Sequence, residues 1–341
     1  MTETLPIVSV ALPVWNEAEN LPVLYERLQA ACRRASVQYE LVFVDNGSTD
    51  ASLAIIKQLC RQDPQVRYLS LSRNFGHQNA LFAGMTACTG DAVVTMDADL
   101  QHPPELIPEM VRLWREGAEV VFTTKRDAKL PPIKRQVVKI FYKLISKFSG
   151  LDLDFGLSDF RLLDRQVADS IVRIPEYHKF LRGQVKWVGF KQSGLTYDVQ
   201  ARYRGQSKFS YANLFSFALD GLFAFSRYPL RVVALGGLLI TGACALFMFY
   251  VCGLYALNFF HAAPPSFRLP PGWATLAVAV MFLGSTQLIA LGILGEYLGR
   301  VYDQTKGRPN FIVRETSARD DDADNRDSLR RPRRAFAAAD R

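Results

Sequence analysis

Two long stretches of this 341-residue chain lack charge altogether: Val232–Phe260 and Gly272–Gly295 contain no Asp, Glu, Lys or Arg. Each exceeds the roughly 20 apolar residues needed to cross a bilayer core, so two transmembrane helices are expected. Cysteine is scarce as well. The five present (Cys32, Cys60, Cys88, Cys244, Cys252) fall at no paired spacing, which excludes a disulfide framework and fits reduced thiols facing a cytosol. The four histidines are too scattered for a zinc site. No leader is visible, because Met1–Pro6 runs straight into a β-rich stretch, and no signal peptide is expected.

What is present is unevenly distributed. Hydrophobic residues make up 49% and charged residues 22%, ordinary averages that hide a soluble-looking first 228 residues followed by the two apolar runs. A net charge of +8 suits either nucleic acid or an anionic membrane surface. The basic residues crowd into Lys125–Lys147 and flank the apolar runs, which favours the membrane and leaves no nucleic-acid partner expected. Within about 132–148, Ile133, Val137, Phe141, Leu144 and Phe148 fall on one helical stripe, with Lys134, Arg135, Lys139, Lys143 and Lys147 elsewhere. That pattern suits a helix lying among lipid headgroups, and equally a surface helix packed on its own domain; the neighbouring spans favour the former. Arg227 and Arg231 before the first span, and Arg300, Lys306, Arg308 and Arg314 after the second, put both ends in the cytoplasm. The expected organisation is a cytoplasmic domain over 1–228, a two-helix membrane region over 229–300 and a cytoplasmic C-terminal segment over 301–341. That segment is expected to be disordered from about 315, where seven acidic and seven basic residues meet few apolar ones.

Strands and helices alternate through the first domain. β-rich runs at Ile7–Pro13, Glu40–Asp45, Val66–Leu71, Ala92–Asp97 and Glu119–Thr124 are separated by stretches of helical spacing, which predicts a mostly parallel α/β sheet. In such sheets ligands bind beyond the carboxyl ends of the strands, where Asp45 and Asp97 fall. Asp97-Ala98-Asp99 places two carboxylates two residues apart past a strand. They suit a hard divalent cation completed by substrate phosphates, though alone the triplet suits a solvated turn better. Its company decides. Pro13-Val14-Trp15-Asn16-Glu17 follows the first strand and Asp45-Asn46-Gly47-Ser48-Thr49-Asp50 the second, so three acidic turns converge on one crevice, as a nucleotide site requires.

In this order the three motifs resemble the GT-A fold of glycosyltransferase family 2. Arg73-Asn74-Phe75-Gly76-His77, Asp97 through Glu105, Ser158-Asp159-Phe160-Arg161, Arg204 through Phe209 and Gly292 through Arg300 narrow the resemblance to the polyprenyl-phosphate glycosyltransferases. These include dolichol-phosphate mannose synthases and the bactoprenol glucosyltransferases of O-antigen modification. The resemblance spans about Ile7–Arg314. It implies nucleotide contacts at Pro13, Glu17 and Asp45, and a catalytic role for Asp97 and Asp99. It also implies a divalent cation (Mg2+ or Mn2+) at Asp99 and Gln101 with Asp97 facing it. Arg126, Ser158, Arg204 and Lys208 match positions that grip the lipid phosphate or the departing diphosphate, by a guanidinium fork or an ammonium point charge. Asp159 matches a position proposed as a catalytic base, although a phosphate oxyanion needs none. Two departures stand out: Asn46 replaces a second acid, and Asp154 replaces a phosphate-binding arginine.

The resemblance implies inverting transfer of a hexose, first of all from UDP-glucose, to undecaprenyl or another polyprenyl phosphate. The reaction would run at the cytoplasmic face of the inner membrane, in cell-envelope glycan modification. GDP-mannose, UDP-N-acetylglucosamine and an amino-arabinose donor are alternatives, and relatives imply a homo-oligomer, a tetramer. A processive synthase of the same family would need more spans and a Q-x-x-R-W motif, which Gln184-Val185-Lys186-Trp187 matches only superficially. A non-catalytic nucleotide-binding scaffold would need neither the acidic triplet nor the basic residues.

Overall fold

Near-continuous apolar runs build the centre of the sheet. In the computed structural model, residues 5–126, 157–198, parts of 230–250, and 273–317 are described. Strands β1 (Ile7–Val14), β2 (Gln38–Asp45) and β4 (Ala92–Thr95) are almost wholly buried, as strands covered on both faces must be. Around them lie α1 (Leu21–Arg34), α2 (Ser52–Gln62), β3 (Val66–Leu71), α3 (His77–Ala87), α4 (Ile107–Arg115), β5 (Val120–Arg126), β6 (Leu157–Asp164), α5 (Arg165–Val172), α6 (Leu181–Trp187), β7 (Gln192–Asp198) and β8 (Val313–Thr316). The eight strands form one sheet in the order β7-β5-β6-β4-β1-β2-β3-β8.

Side-chain alternation assigns the two faces. Val8, Val10, Leu12 and Val14 pack on one side with Leu21, Leu24 and Leu28 of α1, which recur at helical spacing. Ala11, Val42 and Val44 pack on the other against α3. That helix can lie this close only because Gly84 has no side chain: a Cβ there would stand 3.0 Å from Ala11 Cβ and 3.2 Å from Val44 Cγ2.

The sheet is mixed. β1–β2, β1–β4, β2–β3 and β5–β7 are parallel, whereas β4–β6, β5–β6 and β3–β8 are antiparallel. Six strands run the same way, which is the mostly parallel sheet expected from the sequence, and the two that oppose them are β6, inserted against the direction of its neighbours, and β8. β8 also lies at the start of the tail expected to be disordered from about 315. Val313–Thr316 pairs with β3, and Tyr68 N donates to Ser317 Oγ at 2.8 Å, so ordered chain continues past Glu315.

A second compact unit contains α7 (Trp273–Thr305), 33 residues long. Leu276, Val280, Leu288, Ile289 and Leu291 are each more than half exposed on it. Among the described residues no helix is long and apolar enough to cross a membrane. The interface helix expected at about 132–148 lies outside the described residues, as does much of the first expected span.

Candidate active site

The register of the parallel strands brings three turns together. Val14 lies opposite Asp45 and Ala11 opposite Thr95, so the carboxyl ends of β1, β2 and β4 open on one side. The first two turns are stitched to each other. Asn16, at φ +55°, accepts from Thr49 N at 2.8 Å; its own N–H donates to Ser48 Oγ, and Glu17 N donates to Ser52 Oγ. A left-handed asparagine is the ordinary non-glycine solution for such a turn. Pro13 is buried within β1, and the Glu17 carboxylate accepts from Asn20 Nδ2 at 2.6 Å.

Asp45 is 2% exposed and held from both sides: Oδ1 accepts from Ser48 N at 3.0 Å and Oδ2 from Ser70 Oγ at 2.9 Å. Asn46, the departure noted in the sequence, acts as a two-way clamp. Its amide donates to Asn74 Oδ1 at 3.1 Å and its carbonyl accepts from Phe75 N at 2.9 Å, a combination no carboxylate can supply. Gly47 makes the same closure possible. At φ +73° its missing Cβ would stand 2.8 Å from Arg73 C and Asn74 N, both backbone. Gly47→Ala is therefore expected to destabilise the sheet unit by about 1–3 kcal/mol, read as a lowered thermal midpoint. A wild-type midpoint would show that the 73–76 loop yields.

The third turn carries the acidic triplet. Asp97 N donates to His102 Nδ1 at 3.2 Å, and Asp99 Oδ1 accepts from Gln101 N at 3.1 Å. Leu100 between them sits at φ +62°, a strained geometry for a branched side chain and of the kind that collects at functional turns. His102 is 1% exposed, and burial lowers its pKa. With Nδ1 accepting, its neutral ring carries the proton on Nε2, 2.9 Å from Ser158 Oγ. The Ser158 hydroxyl also accepts from Phe160 N and lies 3.2 Å from Tyr197 OH, so in this arrangement it serves buried neighbours. Phe160 stacks on His102 with ring centroids 5.4 Å apart.

Behind the triplet lies a dense ionic cluster. Asp159, 6% exposed, receives two parallel bonds from Arg182, Nε to Oδ1 and Nη2 to Oδ2, both 2.8 Å. Arg161 Nη2 stands 3.5 Å from Oδ1. His77 Nε2 lies 3.8 Å from Asp159 Oδ2 and 3.3 Å from Asp97 Oδ1. Burial by itself would raise the Asp159 carboxyl, but Arg182, His77 and Arg161 together hold it well below the usual carboxylate range. Burial also lowers His77, and Asp97 and Asp159 outweigh it, raising the ring to about 9. Burial pulls Arg161 down to about 10.

Of the residues singled out in the sequence, Pro13, Glu17, Asp45, Asp97, Asp99, Gln101, Ser158 and Asp159 lie at these strand ends. Arg126 closes β5 opposite Asp198, and its side chain is outside the described residues, as are Arg204 and Lys208. Arg182 was not singled out, and His77 appeared only inside a longer motif. Neither stands near the triplet in sequence; Asp159 and Arg161, alternate residues of one strand, were the local hint of a charged cluster. The donor set suits a hard cation, being all oxygen, and the buried Asp97 Oδ1 makes no hydrogen bond, though His77 Nε2 stands 3.3 Å from it. Among the described residues no group of three or more His, Cys, Asp or Glu side chains is arranged to hold an ion unaided, so substrate oxygens would have to complete the shell.

Residues 9–172 match the family described as Glycosyl transferase family 2. A prophage bactoprenol glucosyl transferase homolog of Escherichia coli (strain K12) is 37% identical over 308 residues, 90% of this chain and 98% of that protein. An uncharacterized glycosyltransferase of Bacillus subtilis (strain 168) is 39% identical over 309 residues, covering 90% and 93%. Among solved structures, mannosyl-3-phosphoglycerate synthase from Rubrobacter xylanophilus aligns at a TM-score of 0.45 with 17% identity, covering 63% of this chain and 71% of that one.

Proposed function

The chain belongs to glycosyl transferase family 2, and from that premise we propose that it moves a hexose from a nucleotide sugar to a polyprenyl phosphate. UDP-glucose and undecaprenyl phosphate are the donor and acceptor we favour, after the bactoprenol glucosyl transferases it resembles. The observation that carries the acceptor side is topological. The chain leaves the sheet at Arg126, re-enters at Leu157 and leaves again at Asp198. The pairings Thr124–Leu157 and Arg126–Asp198 put all three points at one end. Because Thr95 pairs with Arg161, it is the end that carries the acidic triplet. The sequence that joins Arg126 to Leu157 includes the basic amphipathic stretch at about 132–148, and both of those points stand at that end, which supports a lipid headgroup as the acceptor.

Pro13, Glu17 and Asp45 are assigned to the nucleotide. Arg126, Arg204 and Lys208 are assigned to the lipid phosphate and the leaving diphosphate, with Ser158 at their edge. Asp99, Gln101 and Asp97 would hold Mg2+ or Mn2+, which when bound neutralises charge on the departing diphosphate. The acceptor oxyanion attacks the anomeric carbon in line and inverts it, and the side chains contribute alignment and charge stabilisation with no covalent enzyme intermediate. We place the enzyme in the inner membrane as a homo-oligomer, held by the two charge-free stretches with both termini cytoplasmic. The exposed leucines and Ile289 of α7 support this reading.

Membranes containing the protein, given labelled UDP-glucose and undecaprenyl phosphate, are expected to yield labelled lipid in organic extracts. Label entering the lipid only from GDP-mannose, UDP-N-acetylglucosamine or an amino-arabinose donor would reassign the sugar. No labelled lipid from any donor would defeat the proposal.

A further inference from the structure

We propose that Arg182 is a positioning residue of the transfer site, locking Asp159 as a fixed anionic brace for His77 and, through it, for Asp97. The inference rests on the glycosyl-transfer reading above and adds to it. A base must be open to the proton it takes, yet Asp159 is enclosed. Arg182 from α6 covers both carboxylate oxygens, and Arg161 from β6 and His77 from α3 stand against them too. Fork-to-fork pairing of this kind fixes orientation as well as charge. The backbone is held as firmly: Asp159 O accepts from Thr95 Oγ1 at 2.6 Å, two residues before Asp97.

Arg182 itself arrives by a built route. Leu181 N, at the start of α6, donates to Gln78 Oε1, and Gln78 is the neighbour of His77 at the start of α3. The two helix starts are therefore tied beside the ring that approaches Asp97 at 3.3 Å. Arg182, Asp159, His77 and Asp97 form one line of contacts from α6 to the acidic triplet. An anionic acceptor needs no proton removed, so the line serves to aim Asp97.

The full-length protein, purified in detergent, is compared with Arg182→Lys, Arg182→Gln, Asp159→Asn and the Arg182→Gln/Asp159→Asn double variant. Thermal melting controls for folding. Each neutralising single variant is expected to lose about a hundredfold in kcat with KM for the donor changed much less, and Arg182→Lys to recover part of it. The double variant strands only Arg161, whereas Asp159→Asn strands Arg161 and Arg182 together, so the double is expected to melt at or above that single. Its kcat should fall no lower than that of the worse single, because the pair acts as one unit. Losses that multiply in the double variant would overturn the proposal. So would Asp159→Asn inactivating an enzyme that Arg182→Gln leaves within about threefold of wild type. Wild-type protein that glycosylates no lipid overturns the functional reading itself, a result distinct from either.

Discussion

Asp99→Ala is expected to lower turnover by about a thousandfold or more, about 4 kcal/mol of transition-state stabilisation, while the protein still folds. The carboxylate is 9% exposed and its Oδ1 holds Gln101 N, so the variant loses both a turn contact and a proposed metal ligand. The first loss is small, about 1 kcal/mol for a hydrogen bond of this kind. Asp99→Asn separates the two: the amide oxygen still accepts from Gln101 N, but the charge is gone. If the metal role is right, Asp99→Asn falls close to Asp99→Ala in activity and close to wild type in melting. A chelator should silence the wild type, and Mg2+ or Mn2+ should restore it. Full activity in a folded Asp99→Ala protein would refute the metal role.

The second large effect lies at the opposite end of the sheet and concerns stability. Glu40 of β2 is 7% exposed; Oε1 meets Arg67 Nη1 at 2.6 Å and Thr89 Oγ1 at 3.1 Å, and Oε2 accepts from Thr89 N at 2.8 Å and from Ser9 Oγ. Removing it leaves a partly buried guanidinium and several polar groups without their partner. Glu40→Ala is therefore expected to cost about 3–5 kcal/mol, or about 10 °C in the thermal midpoint of a domain this size. Burial alone would raise the Glu40 pKa, yet Ser9, Thr89 and Arg67 outweigh it and the value is lowered. The sign follows. With the folded value below the unfolded one near about 4.3, the stabilisation is complete above that pH. It is lost as pH falls through the folded value, and Asp159 behaves likewise. Melting across pH 3–7 should show wild type losing stability on the acid side more steeply than Glu40→Ala, with the two curves converging. Curves that stay parallel would remove Glu40 from the account.

The parts of this architecture that were legible in the sequence are those governed by local chemistry. Val66–Leu71 and the strand end at Asp45 follow from apolar runs stopped by turn residues, and the acidic turns from their place after such runs, although β4 stops at Thr95, two residues short of Asp97. Strand direction is a different kind of fact. β6 reads as Phe160-Arg161-Leu162-Leu163 whichever way it runs, and only pairing decides that it opposes β4. Arg182 was illegible for a related reason, because its partner Asp159 lies 23 residues earlier. Ser158 was legible only in part. The resemblance implies a phosphate contact there, and the hydroxyl's bonds with His102 and Phe160 N are a further pattern that no spacing encodes.

The short strand at Val313–Thr316 has a consequence for how the protein can be threaded through a bilayer. β7 and β8 belong to one sheet, so the chain that departs after Asp198 must be back on the same side by Val313. Any crossing made in between has to be undone, and the number of passes must be even. One span, or three, would strand β8 on the far side from the β3 edge it completes. The pairing of four residues thus acts as a parity check on insertion. The two apolar stretches satisfy it only if both span or neither does.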